Sequence, residues 1–207
     1  MMKSKNSGNC IAFDGMHCIA SGDLREVAVR VKKLIDQGEA LSVLIFDNQS
    51  SEIVEIDFRG SADDVLERLE REAVRQGLPS PETSGTEPEP RQGPGRPKLG
   101  VVPREVTLLP RHWEWLNCQP GGASVALRKL VEDARRANSE QDRLRASQES
   151  LYRFMSAMGG DLPGFEEASR AMFARDAVRF SEMIERWPAD IRDHARKLGT
   201  AAFRAAS

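Results

Sequence analysis

Six of the eleven prolines of this 207-residue chain fall between residues 79 and 100, at Pro79, Pro81, Pro88, Pro90, Pro94 and Pro97. Ser, Thr, Gly and Glu occupy much of the space between them. Each proline removes a backbone donor and steers the preceding residue away from helix. Such a composition cannot bury a core and is expected to stay extended or disordered. The chain must therefore fold on either side of it. Four segments are expected: 1–78, a flexible Pro-rich linker at 79–103 that carries a basic arm, a module at 104–137, and a helical region at 138–207.

Charge is divided along the same lines. Residues 1–78 hold ten Lys and Arg against fourteen Asp and Glu, and residues 79–90 hold three acids and no base. Residues 91–136 hold nine bases against four acids, whereas 137–207 are balanced at eleven each. The net charge of −2 thus hides a positive excess confined to the middle of the chain. Clustered positive charge is what a phosphate backbone requires. A solvated surface that merely happens to be basic gives the same count.

Within that basic region Arg104 to Leu109 is a β-prone run, stopped by Pro110. A two-turn helix from Arg111 to Cys118 follows, ended by Pro120-Gly121-Gly122. A second helix starts at Ser124 and carries Leu127, Leu130, Val131 and Ala134. A lone six-residue strand is unstable in water unless it pairs, and a second copy of itself is the available partner. The strand-Leu-Pro step at Leu109-Pro110, the Gly turn and Ser124-Val125-Ala126-Leu127-Arg128 together resemble the ribbon-helix-helix (Arc/MetJ-type) family of dimeric DNA-binding proteins over about 35 residues. The resemblance implies a homodimer through residues 104–137. It also implies that outward strand residues read bases in the major groove.

Those outward residues are Glu105, Thr107 and Leu109, with Val106 and Leu108 on the other face. Thr107 can contact a base. Glu105 repels phosphates unless it meets a cytosine amino group, and Leu109 offers no hydrogen bond. Phosphate contacts are expected from Arg104, Arg111, Arg128, Lys129 and the free N–H groups at the helix start by Ser124. Trp113 and Leu116 share a helix face, with Trp115 beside them, and read as core or dimer interface ahead of a base-stacking platform.

Just upstream, Gly95-Arg96-Pro97-Lys98 resembles an AT-hook, whose arginine enters the narrow minor groove of A·T-rich DNA on an extended backbone. Pro94 stands where that pattern has a basic residue. The DNA-binding set is accordingly Arg96, Pro97, Lys98, Arg104, Thr107, Arg111, Ser124, Arg128 and Lys129. As a whole, the chain resembles a bacterial family of uncharacterised proteins with this layout.

The first 78 residues read as an α+β unit of ββαββα order with a mostly antiparallel sheet. Asp14-Gly15 between apolar runs signals a hairpin over 9–20. Ser21 caps a helix from Asp23 to Gln37. Leu41 to Phe46 and Ile53 to Phe58 are strands joined by the turn at residues 47–51. Ser61 and Asp64 form a capping box for a helix that runs to Gln76. Glu55 and Asp57 face solvent, and His17 is structural or on the surface. Beyond Gln148, an apolar face of Leu151, Phe154, Met155 and Met158 ends at Gly159-Gly160. Helices at Phe165–Phe173 and 177–187 follow, and a last one opens at Pro188. Phe154, Phe165, Phe173, Phe180 and Trp187 supply an aromatic core. His194 is expected on an exposed polar face.

Neither catalytic residues, nor a cofactor site, nor a metal motif is expected, and the chain reads as a non-enzyme. Cys10, Cys18 and Cys118 have no metal-type spacing, and one must remain unpaired. They suit a reducing, cytoplasmic setting. No run of 18 apolar residues exists to span a membrane. The sequence thus points to a DNA-binding regulator or nucleoid-associated factor. The competing reading is a protein–protein adaptor that uses the ribbon-helix-helix segment only to dimerise, with the N- or C-terminal domain holding a protein partner.

Overall fold

The computed structural model describes residues 9–39, 42–75 and 104–203. Described residues form a mixed α+β fold that is mostly helical, with one three-stranded antiparallel sheet. Two compact units divide the chain: residues 1–81 together with 140–207, and residues 82–139. The linker prolines, the Arg96-Pro97-Lys98 arm and the last residue of the helix expected to reach Gln76 lie outside the described residues.

In the larger unit, β1 (Asn9–Asp14) and β2 (His17–Asp23) form the hairpin that Asp14-Gly15 signals. Gly15 takes φ +54°, which a residue without Cβ adopts cheaply, and the Asp14 carboxylate accepts the Ser42 N–H at 2.8 Å. β3 (Val43–Asp47) pairs with the other side of β1, so the strand order is β2-β1-β3.

Strand alternation then splits the apolar residues between two cores. Cys10, Ala12 and Ile45 face α1 (Leu24–Asp36), where they meet Val27 and Val31. Ile11, Phe13 and Phe46 face the opposite way, into a core built with Leu151, Phe154, Met155, Met172, Ile184 and Ile191. Segments far apart in sequence therefore share one core, with the sheet between two helical layers.

Three local expectations need correction. The cap of α1 is Asp23, not Ser21: its carboxylate accepts the Arg25 N–H at 2.8 Å. Pairing of Cys10 with Gly22 and of Asn9 with Asp23 keeps Ser21 inside β2, which moves the helix start along. Residues 53–58 also do not form a fourth strand, so the ββαββα order is not realised. Only Ile53 bridges to Phe46, and beyond Val54, whose N–H reaches the Ile45 carbonyl at 2.8 Å, pairing stops. Arg68 of α2 (Ala62–Arg75) instead takes the carbonyls of Asp57 and Arg59 with its guanidinium. Val54, Ile56 and Phe58 still pack together, against the α1 side of the sheet. The capping box forms: Ser61 N–H donates to the Asp64 carboxylate at 2.8 Å, and Asp64 N–H to the Ser61 hydroxyl at 3.2 Å.

The third correction concerns the end of the helix expected at 177–187 and the burial of Phe173. α3 (Pro110–Asn117) is followed by α4 (Gly122–Gly159), which runs through the polar stretch 138–148 without a break. At 38 residues it is roughly 57 Å long. α5 (Phe165–Phe173) has the expected bounds, α6 (Ala177–Met183) stops short of Trp187, and Pro188 caps α7 (Ala189–Ala202). Phe154, Phe180 and Trp187 are buried, but Phe173 is 59% exposed, its ring 5.6 Å from that of Tyr152. Position 173 closes α5 on the side away from Ala168 and Met172, which take the core.

Candidate nucleic-acid interface

In the smaller unit, Arg104 to Leu109 is neither helix nor paired strand within one chain. Leu109 is extended (φ −65°, ψ 149°) and caps α3, with Pro110 at the first helical position, where its missing N–H costs nothing. The Leu109 carbonyl accepts the His112 N–H at 2.8 Å. Gly121 and Gly122 both have positive φ, +85° and +75°, and reverse the chain into α4. A side chain at Gly121 would also meet Val125, whose Cβ lies 3.1 Å from the Cβ position.

Each described member of the expected DNA-binding set is solvent-exposed: Arg104, Thr107, Arg111, Ser124, Arg128 and Lys129. Arg128 folds back along the first turn of α4, its Nε donating to the Ser124 carbonyl at 3.1 Å and its terminal nitrogen reaching the Ser124 hydroxyl at 3.5 Å. α4 thus begins at Gly122 and not at the expected Ser124, which lies inside the first turn beside Arg128, and the Gly122 N–H donates to the Gln119 carbonyl at 2.9 Å. Arg104 and Arg111 bracket the run at 104–109. Arg96, Pro97 and Lys98 belong to this set by sequence and lie outside the described residues.

Burial separates this unit from the rest of the molecule. Among residues 104–139 only Leu116 is buried, at 3% exposure. Val106, Leu109, Trp113, Trp115, Val125, Leu130 and Val131 are between 36% and 57% exposed. Apolar surface of this kind is normally covered. Further along α4, Leu144, Leu151, Phe154, Met155 and Met158 are buried.

Elsewhere the ionisable groups serve the fold. Asp57 is exposed, and hydrogen bonds from the Arg59 side chain and backbone, with Arg68 nearby, hold its carboxyl well below the usual range. Glu55 is exposed, as expected. Burial, with help from the Asp47 and Asp23 charges, pushes the Cys10 thiol up to about 11, which makes it unreactive. Cys18 is raised too, by partial burial and by Asp190. His17 is 88% exposed at its side chain, with Nδ1 3.8 Å from the Asp190 carboxylate.

His194 departs most from expectation. It is buried, 4% exposed, with its ring centroid 4.5 Å from Phe154 and 5.9 Å from Phe13. Burial, and then the charge of Lys197, lower its pKa to about 4. Its Nε2 has no hydrogen-bond partner. The signal was present in the sequence: position 194 sits one turn from Ile191 and next to Ala195, inside the stripe that α7 buries. Among the described residues no group of three or more His, Cys, Asp or Glu could hold a metal ion, and no helix is long and apolar enough to cross a membrane.

A family model described as "Uncharacterized protein conserved in bacteria (DUF2239)" matches residues 9–199. No curated protein and no solved structure matches the chain.

Proposed function

The chain belongs to that bacterial family, and we propose that it is a DNA-binding protein, a transcriptional regulator or nucleoid-associated factor, that dimerises through residues 104–137. Two copies of the run at 104–109 pair as a β-ribbon, which satisfies backbone groups that a lone strand leaves open. α3 and the first turns of α4 pack beneath it. Arg104, Arg111, Arg128, Lys129 and the first turn of α4 around Ser124 contact phosphates. Thr107 reaches a base edge, and Arg96, Pro97 and Lys98 add minor-groove contacts.

The observation that carries the reading is the coexistence, among the described residues 104–139, of seven exposed large apolar side chains and one buried residue in a segment of net positive charge. A segment this short cannot bury enough surface alone, and a second copy supplies what is missing. The phosphate contacts then come from the exposed arginines and lysine that flank the apolar face.

Sedimentation equilibrium of the full chain tests the assembly. The dimer mass is expected for the native sequence, and the monomer mass for the double variant Leu130→Glu, Val131→Glu, which should lose DNA affinity along with it. A native chain that stays monomeric at micromolar concentration contradicts the proposal. A dimer that ignores duplex DNA at low salt favours the adaptor reading instead.

A further inference from the structure

Four cations surround one carboxylate near the start of α4. Arg128 and Lys129 precede Glu132 by four and three residues, and Arg135 and Arg136 follow it by three and four. At 100° per residue, all four lie within about 60° of Glu132 round the helix. Leu130 and Ala134 lie about 160° from it, so the cations face away from the apolar side assigned to the second copy. The remaining acid between residues 124 and 139 is Asp133, about 100° from Glu132 and outside this arc. All four cations are exposed. Arg128 is turned back to Ser124. Arg135 and Arg136 instead share Glu132: Nη1 of Arg135 lies 3.1 Å from one carboxylate oxygen, and Nε of Arg136 3.6 Å from the other. A single anion is thus held between two guanidiniums, one oxygen to each.

Exposed pairs at this spacing contribute little to a helix and exchange readily with other anions. A phosphodiester offers the chemistry of the carboxylate, two charged oxygens that guanidiniums bind. It also answers the surplus, because Glu132 balances only one of the four positive charges around it. A second copy does not: its own α4 carries the same surplus, and interface cores are depleted of charge. The two arginines lie about 10 Å along α4 from Arg128 and Lys129, within reach of the same DNA backbone. We propose that Arg135 and Arg136 form a further phosphate site, held by Glu132 in the free protein and taken by a DNA phosphate in the complex. Glu132 is then a built-in competitor of DNA, an inference that rests on the DNA-binding reading above.

The test is fluorescence anisotropy of the full chain on a short duplex across a salt series. Glu132→Gln should bind about threefold tighter at fixed salt, the scale of one exposed charge pair. Arg135→Gln with Arg136→Gln should weaken binding and make the log–log salt slope shallower by about 0.9, one phosphate contact. Adding Glu132→Gln to that double variant should give little further gain, because the carboxylate has no arginines left to withhold. A gain of the same size in both backgrounds marks Glu132 as a general repulsive charge and overturns the inference, as does a Glu132→Gln chain of native affinity. Both results leave DNA binding standing. A native chain that binds no duplex at low salt overturns the inference and the DNA-binding reading together.

Discussion

The Asp190 carboxylate of α7 accepts the backbone N–H of Cys18 at 2.8 Å, from the outer edge of β2. On that edge Arg30 of α1 likewise donates its Nε to the Ile19 carbonyl at 3.0 Å. Backbone groups that would otherwise template another strand are thus taken by side chains from two helices in different layers. Asp190 also attaches α7 to the sheet at the end of the helix where an acidic group complements the dipole.

Asp190→Ala should therefore act on stability and on association together. Loss of this charge-assisted hydrogen bond, at a partly exposed site, costs about 1–2 kcal/mol in urea unfolding. Light scattering should detect a rise in strand-mediated association. Unchanged stability would mean that the edge cap contributes nothing to holding α7.

His194 gives a pH dependence of defined sign. Its folded pKa, about 4, lies below its ordinary value of 6.5, so the unfolded chain binds the proton more readily. The contribution of the neutral imidazole is fully present above pH 6.5 and is lost as pH falls from 6.5 towards 4. The loss is on the order of 3 kcal/mol. His194→Leu should flatten this part of the stability profile relative to the native chain, measured by denaturant unfolding at successive pH values. Parallel profiles for the two proteins would contradict the assignment.

Gly159 ends α4 against Trp187. A Cβ at that position would lie 3.0 Å from the indole Cζ3 and 3.1 Å from Cη2. The ring cannot move aside easily, because Trp187 is 3% exposed and its Nε1 donates to the Pro163 carbonyl at 2.9 Å. Gly159→Ala should destabilise by about 1–3 kcal/mol through overpacking, despite the better helix propensity of alanine. A stabilised variant would show that the indole yields.

Ser61 and Asp64 satisfy the start of α2 reciprocally. Ser61→Ala should cost about 1 kcal/mol. Calorimetry of the full chain should register it as a lowered midpoint, and no shift would mean that the first turn of α2 frays in the native protein.

Signals whose cause is local are realised in the fold. Asp14-Gly15 makes its turn, Ser61 and Asp64 cap their helix, and Pro188 precedes α7, because each depends on residues within a few positions. Residues 53–58 have a strand's alternation, yet Arg68 reaches them from a helix and takes their carbonyls. The meeting of Phe13 and Phe46 with Phe154, at ring distances of 5.6 and 5.5 Å, joins the ends of the chain across a gap that no periodicity spans. Residues 104–139 pose a different problem. Arg128 and Ser124 are adjacent on one helix turn and legible as such. The pairing proposed for the run at 104–109 involves a second copy, so neither the order of residues nor a single folded chain contains it.

The most direct test of the account is fluorescence anisotropy of the native chain with a short duplex as salt is raised, alongside the double variant Arg128→Glu, Lys129→Glu. Affinity should fall linearly in log–log form, with a slope of about −0.9 per phosphate contacted, and the variant should bind more weakly with a shallower slope. Absence of binding at low salt, or a variant with unchanged affinity and slope, would contradict the DNA-binding role.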